Sequence, residues 1–201
     1  MENICLIIDF DGFQLRQRPF MAREMGYVAM DVEEVDVVSF DLSGVSLEDE
    51  RDRKTVWYCR KFLHGLPFHP RRKERCHQPE YLDELLRQLY EHYSTNEKNL
   101  VAYKGGICER DRLEELGIPS VNLEEHGCPK YDVLKNFYPK VQGNCWRHDV
   151  SSGGRAYHCV AAEVQTFKAW VTDKLRAADQ HSLGLRVASQ RRLHEISRAM
   201  A

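Results

Sequence analysis

Two aspartates stand at the end of the first apolar segment of the chain, in the run Asp9-Phe10-Asp11-Gly12. Side chains alternate across a β-strand, so residues two apart point to the same side of a sheet. The two carboxylates could therefore share one divalent cation, and hard oxygen ligands suit Mg²⁺ or Mn²⁺. The same run also has ordinary turn chemistry, so a turn without a metal is the alternative interpretation.

A second group of side chains suits a softer metal. Cys145 and His148 have the spacing Cys-x2-His, and Cys159 follows eleven residues after His148. Zinc accepts Cys and His in tetrahedral sites, and a closed structural site needs four ligands, so a fourth must come from elsewhere in the chain. The candidates for this fourth ligand are Glu24, His64, His69, His77, Cys128 and His158.

Hydrophobic periodicity and turn residues predict the elements that must position these groups. Four leucines at i, i+3, i+4 and i+7 predict a core-facing helix stripe: Leu82, Leu85, Leu86 and Leu89. The predicted strands are 3–9, a strand with its neighbour or a bulge within 26–41, 55–59, 99–103 and 119–123; the predicted helices are 79–93, 109–116, 131–137 and 158–175. The resulting order βββαβαβα predicts an α/β protein with a mixed sheet and helices on its faces.

The net charge indicates how the chain could bind nucleic acid. The chain has 29 Lys and Arg against 31 Asp and Glu, a net charge of −2, so only local patches could attract nucleic acid. One such run is Arg71, Arg72, Lys73, Glu74 and Arg75, whose four cations could follow the phosphate backbone of single-stranded RNA. A solvated loop is the alternative. Residues 1–177 are predicted to form the folded domain, and 178–201 a basic helix or flexible tail.

Cysteine usage and hydropathy predict the compartment. The seven cysteines are an odd number, which argues against a closed disulfide framework, and Cys5 and Cys59 stand in apolar runs typical of core thiols. No apolar run approaches the ~18–20 residues that cross a bilayer. The first residues carry acids where a signal peptide has a basic start. An intracellular protein that does not insert into membranes is therefore expected.

The start of the last predicted helix carries His158 and, five residues later, Glu163. This pair resembles the last motif of the DEDD-type exonucleases, in which the histidine is the general base and the acid holds metal. Those enzymes have an RNase H-like fold with the same βββαβαβα order. The catalytic set that the resemblance implies is Asp9, Asp11, Glu109, His158 and Glu163, with Asp111 as the alternative third acid.

Several runs also resemble the Maelstrom domain and its relatives in arthropod and mobile-element genomes. They are Ala22-Arg23-Glu24-Met25-Gly26-Tyr27-Val28, HGLPF (64–68), VAYKGG (101–106), VNLEEHGCP (121–129) and YHCVAAEV (157–164). Maelstrom belongs to the piRNA pathway, and a Glu-Cys-His-Cys zinc site replaces the exonuclease acids of its RNase H-like fold. Over residues 3–175, the resemblance implies a structural zinc site formed by Glu24, Cys145, His148 and Cys159.

Three functions follow from these resemblances. The first is a single-stranded RNA-binding protein in small-RNA or transposon control, for which RNA nuclease activity is a hypothesis that rests on the resemblance and the retained acids. The second is a catalytically inert, zinc-stabilised adaptor for small-RNA pathway proteins, and the third an active Mg²⁺-dependent DEDD-type exonuclease. The third acid discriminates among them, because inertness is favoured if neither Glu109 nor Asp111 can reach Asp9.

Overall fold

The computed structural model describes residues 1–138 and 158–199, with side-chain surroundings up to residue 180. The strands are β1 (Ile4–Gln14), β2 (Phe20–Ala29), β3 (Asp36–Ser39), β4 (Leu100–Tyr103) and β5 (Ser120–Asn122). The helices are α1 (Glu50–Tyr58), α2 (Tyr81–Tyr93), α3 (Ile107–Glu115), α4 (Tyr131–Leu134) and α5 (Val160–Ala199). A π-helical turn, Cys59–Leu63, continues α1, and a 3₁₀ turn, Leu123–His126, follows β5.

The five strands form one mixed, open sheet in the order β3-β2-β1-β4-β5. Strand β2 is antiparallel to both of its neighbours, whereas β1, β4 and β5 run parallel to one another. Short connections join the antiparallel strands, and the parallel ones are joined through helices, as parallel pairing requires. The predicted α/β architecture with a mixed sheet is confirmed.

Helices cover both faces of the sheet. On one face, Leu6, Ile8 and Phe10 of β1 pack against α2 and α3. The predicted leucine stripe of α2 is buried there, as expected: Leu82, Leu85, Leu86 and Leu89. On the other face, Ile7 of β1 packs with the apolar side of α5, including Val164. The middle strand β1 is therefore buried on both faces, which explains its nearly continuous apolar sequence.

The strand predicted over 55–59 is wrong, since these residues belong to α1 and the π-helical turn. Asp49 caps the helix by accepting a hydrogen bond from the Arg51 N–H at 2.7 Å. Val56 and Cys59 pack into a core cluster, and their spacing of three is the helical one. The third strand is instead β3, so the stretch 26–41 divides into the end of β2 and a separate β3.

Helix α5 is longer than predicted, because it runs over 40 residues as a single helix. Its backbone therefore has no break at residue 177, where the sequence predicted the folded domain to end. Among the residues that the structure describes, no helix is both long and apolar enough to cross a membrane.

Candidate functional site

The acidic pair of β1 faces α5. Asp9 and Asp11 follow Ile7 at intervals of two residues, and Ile7 packs against α5. In the antiparallel register Asp9 lies opposite Gly26 and Asp11 opposite Glu24. Because β1 continues to Gln14, the pair lies within a strand. The alternative interpretation of this run as a turn is therefore wrong.

A close packing contact brings the start of α5 onto this face. A Cβ atom on Gly26 would lie only 2.7–2.8 Å from the backbone and Cβ of Val160, so only glycine allows the approach. His158 and Glu163 flank this contact in sequence. The Nδ1 atom of His158 lies 2.5 Å from Oε1 of the buried Glu163, and the His158 N–H donates to the Leu63 carbonyl at 3.1 Å.

The third acid is Glu109, in the first turn of α3. Its Oε1 accepts a hydrogen bond from the Phe10 N–H at 3.0 Å, between the two aspartates of β1. A Cβ atom on Gly106 would lie 1.6 Å from its Oε2, so the buried carboxylate folds back over the start of the helix. Asp111, by contrast, is exposed and ion-paired to Arg110 at 2.7 Å. The structure therefore selects Glu109 over Asp111.

Electrostatics join these acids into one cluster. Burial, followed by the charges of Glu163, Glu109 and Asp11, raises the pKa of Asp9 well above its ordinary value, and Lys104 opposes this rise. Burial also raises the pKa of Glu109, against the backbone N–H groups of Glu109 and Phe10 that lower it. The sequence-predicted carboxylates Asp9, Asp11, Glu109 and Glu163 thus come from three separate segments to one place. We call these four residues the acid cluster.

His158 is a cation in this arrangement. Its hydrogen bond to Glu163 raises its pKa to about 9 against the opposing effect of burial, and Asp11 and Asp132 add to the rise. At neutral pH the ring is therefore protonated and paired with Glu163. The ring can accept a proton only after it has lost its own, and this requires Glu163 to pair with another group.

The donor set of the acid cluster suits a divalent cation, but the side chains do not converge as ligands. In residues 1–138 and 158–180, no group of three or more His, Cys, Asp and Glu side chains is arranged to hold a metal ion. Two carboxylates have an oxygen committed elsewhere, since Glu109 accepts from Phe10 and Glu163 pairs with His158. Four carboxylate groups are nevertheless the hard oxygen donors that Mg²⁺ and Mn²⁺ prefer.

Half of the predicted zinc ligand set can be located. Glu24 is fully buried, with its Oε1 3.5 Å from Ser39 Oγ. It lies two residues from Gly26 on the same face of β2, and Gly26 contacts Val160, the neighbour of Cys159. Glu24 and Cys159 thus flank one packing contact, whereas Cys145 and His148 lie outside the described residues.

The other candidates for the fourth zinc ligand have different environments. Both ring nitrogens of the buried His64 are hydrogen-bonded at 3.1 Å, Nε2 to the Gly12 carbonyl and Nδ1 to the Leu66 N–H. Cys128 is buried in the apolar core beneath α5, and the ring of His77 stacks on Tyr81. His69 is exposed. His64 therefore acts as a core histidine.

The predicted RNA-binding run is anchored by its own acid. Both oxygens of Glu74 accept from Nη2 of the fully buried Arg23, at 2.7 and 2.8 Å. Arg23 is the extra residue of a bulge in β2, and its Nε also donates to the Pro67 carbonyl at 3.0 Å, so it holds this segment against β2. Arg72, Lys73 and Arg75 are exposed and Arg71 is partly buried. Before this run, His64, Leu66 and Phe68 are buried.

Two features near the acid cluster were missed from the sequence. Lys104, directly after β4, is nearly buried and lowers the pKa of Asp9. Lys104 lines an open cleft of about 300 Å³ together with Lys130, Tyr131, His158 and Glu163.

The second feature is a group of exposed aromatic side chains on α1 and the π-helical turn, which the wrong strand prediction over 55–59 did not indicate. Its signal was Asp49, a helix-capping residue followed by acids in the first turn.

Comparison with protein-family models, with curated proteins and with solved structures found no match to this chain.

Proposed function

We propose that this protein is an intracellular, metal-dependent nuclease of single-stranded RNA, with an RNase H-like fold related to the DEDD-type exonucleases and the Maelstrom domain. The observation that carries the proposal is that Glu109 reaches the aspartate pair of β1, where Glu163 also lies. A third acid within reach of Asp9 is the feature that discriminates a nuclease from an inert relative.

The sheet supports the same assignment. Three strands in an antiparallel meander lead into parallel strands joined through helices, which is the general order implied by the exonuclease resemblance. The acids stand on the central strand and at the starts of two helices that pack on it. Such positions are typical of sites grafted on α/β sheets, where rigid elements hold the side chains.

The residues of this chain would act as follows. Asp9, Asp11, Glu109 and Glu163 would hold Mg²⁺ or Mn²⁺, and a bound cation supplies Lewis-acid polarisation and lowers the pKa of bound water. Hydrolysis would form a bond from a water oxygen to phosphorus and break the P–O ester bond, and the leaving oxygen would take a proton from solvent. If Glu163 turned to the cation, His158 would lose the hydrogen bond that raises its pKa and would release its proton to solvent. The neutral imidazole could then orient the water and accept its proton.

A structural zinc site is part of this proposal. Glu24, Cys145, His148 and Cys159 would tie β2 to the segment before α5, and Cys and His donors suit zinc. Such a cross-link would hold the start of α5, with His158 and Glu163, against Gly26. The fully buried Glu24 beside this contact supports the assignment.

RNA cleavage tests the proposed activity. Labelled single-stranded RNA is incubated with and without Mg²⁺, using wild type and the variants Asp9→Asn and Glu109→Gln. We expect cleavage only with Mg²⁺, and a loss of about 100-fold or more in both variants, because a metal site contributes several kcal/mol to the reaction. Asp111→Asn, on the same helix as Glu109 but exposed, is the matched control and should cleave normally. Equal cleavage by wild type and Asp9→Asn would reject the acid cluster as the active site.

The inert adaptor is the second candidate function. It is favoured by the commitment of Glu109 and Glu163 to protein partners and by the lack of convergent metal ligands among the described residues. In that case the fold and the zinc would support a surface for small-RNA pathway proteins. RNA binding without any cleavage at any tested Mg²⁺ or Mn²⁺ concentration would select this candidate.

A further inference from the structure

Three aromatic side chains form a contiguous exposed patch on α1 and its π-helical turn. Trp57 is 56% exposed, Tyr58 51% and Phe62 36%. The ring centroid of Phe62 lies 5.5 Å from that of Trp57 and 5.3 Å from that of Tyr58. We call these three residues the aromatic platform. Exposed apolar groups of this size, clustered rather than scattered, indicate an interaction site.

The π-helical turn brings the three rings together. The His64 N–H bonds to the Cys59 carbonyl at 3.1 Å, a five-residue interval that widens the last turn. Phe62 in this wider turn contacts both Trp57, five residues before it, and Tyr58, four residues before it. Turns of this kind are rare and are found frequently at functional sites.

Positive charge lies directly beside the aromatic platform. Lys61 Nζ lies 4.8 Å from the ring centroid of Trp57 and 5.2 Å from that of Phe62. Arg60 and Lys61 stand between Tyr58 and Phe62 in the sequence, and no acid stands between Asp52 and Glu74. Aromatic faces with interleaved cations match a polyanion with exposed bases, because bases stack on the rings while phosphates face the cations. A partner with an apolar surface alone would not account for this charge.

The platform is joined to the acid cluster. Leu63, the last residue of the π-helical turn, accepts a hydrogen bond from the His158 N–H at 3.1 Å. His158 in turn pairs with Glu163. A strand whose bases stack on the platform would therefore have its next phosphates close to the acids.

We propose that Trp57, Tyr58 and Phe62 bind the bases of a single-stranded RNA and lead the strand to the acid cluster. This assignment deepens the proposed nuclease function and rests on it for the direction of the strand. Base stacking is a separate event from hydrolysis, so it can be tested in a protein that does not cleave.

Fluorescence anisotropy with a labelled oligouridylate measures this binding in the Asp9→Asn background without added divalent cation. Trp57→Ala should weaken RNA binding about 5- to 150-fold, since stacking contributes about 1–3 kcal/mol per base. Trp57→Phe, which keeps an aromatic face, should restore most of the affinity. Phe137→Ala is the matched control, because Phe137 is an exposed aromatic residue outside the platform, 77% exposed, and its loss should leave binding unchanged.

The outcomes separate this proposal from the nuclease. Unchanged RNA affinity in Trp57→Ala would overturn the platform and leave the patch to a protein partner. An equal loss in Phe137→Ala would also overturn it, because the effect would then not be specific to the platform. Loss of binding in Trp57→Ala together with no cleavage by wild type would keep the platform and reject the nuclease. Thermal unfolding of each variant distinguishes lost stacking from lost structure.

Discussion

The Phe10 backbone N–H donates a hydrogen bond to Glu109 Oε1 across 99 residues of sequence, at 3.0 Å. This bond places the first turn of α3 against the middle of β1, between Asp9 and Asp11. It gives Glu109 two roles, because the same carboxylate positions the helix and adds a negative charge to the acid cluster.

The two roles of Glu109 can be separated by substitution. Glu109→Gln and Glu109→Leu both remove the charge, but only the amide oxygen of Gln can still accept from the Phe10 N–H. We expect Glu109→Leu to be less stable than Glu109→Gln by about 1–3 kcal/mol, the cost of a buried N–H without a partner. Urea unfolding measures the difference. Equal stability of the two variants would show that the hydrogen bond does not hold α3.

Asp9→Asn is expected to stabilise the metal-free protein while removing cleavage. Burial and three neighbouring acids raise the pKa of Asp9, so its charged form is disfavoured in the folded state. As pH rises from about 4, the ordinary aspartate value, through the raised folded pKa, the unfolded state releases its proton first and wild-type stability falls. The stability advantage of Asp9→Asn should therefore grow with pH. An advantage that is constant between pH 4 and 8 would contradict the expected clustering of acids.

Gly26→Ala should loosen the start of α5. The added Cβ would lie 2.7–2.8 Å from Val160, two of whose three close atoms are backbone, so the helix itself must move. We expect a loss of about 1–3 kcal/mol in unfolding free energy, together with weaker cleavage. Gly44→Ala is the control, because nothing lies within 4 Å of its added Cβ, and its stability should change by less than about 0.5 kcal/mol. Identical effects of the two substitutions would contradict the packing contact.

Glu74→Gln should destabilise the protein by about 3–5 kcal/mol, because it leaves the buried guanidinium of Arg23 without its charge partner. Burial alone would raise the pKa of Glu74. The hydrogen bonds from the Arg71 N–H and the Arg23 guanidinium outweigh burial, so the net pKa lies below its ordinary value. The ion pair therefore stabilises the fold above the unfolded-state pKa of about 4.3, and this stability is lost as pH falls through the folded pKa. Denaturant unfolding between pH 3 and 7 should show the variant and wild type converging in acid. A difference that does not depend on pH would contradict the ion pair.

The zinc site predicts metal content. Purified protein should hold about one equivalent of zinc, the amount that a single four-ligand site binds. Elemental analysis should show its loss in Cys145→Ser and Glu24→Gln. Cys108→Ser is the control, since Cys108 is a half-buried thiol of α3 outside the expected ligand set. Zinc retained by both ligand variants would end the Glu-Cys-His-Cys assignment.

The parts of the fold that were predictable are those with strong local patterns. The leucine stripe of α2 follows directly from periodicity, and the strands β4 and β5 follow from short apolar runs beside turn residues. Asp9 and Asp11 were identified by their two-residue spacing, but the apparent end of the strand at Asp9 was wrong, because pairing with β2 extends β1 to Gln14. The local sequence of β1 does not show which strand pairs with it or how far the pairing extends.

Other features depended on contacts that no local pattern records. The segment 55–59 is rich in β-branched and aromatic residues, yet a cap at Asp49 and the packing of Val56 and Cys59 against one core cluster make it helical. Arg23 and Glu74 are 51 residues apart, and neither sequence context shows that the two are buried together. Only the hydrogen bond from the Phe10 N–H shows that Glu109, and not Asp111, lies at the aspartate pair.

Binding of Mn²⁺ tests the central claim most directly, because the acid cluster is proposed to hold a divalent cation. Electron paramagnetic resonance of wild type titrated with Mn²⁺ is compared with Asp9→Asn and the exposed control Asp111→Asn. We expect a bound Mn²⁺ signal in wild type and in Asp111→Asn that Mg²⁺ competes away and that is lost in Asp9→Asn. Free Mn²⁺ alone in wild type, or the same bound signal in Asp9→Asn, would contradict a cation site in the acid cluster.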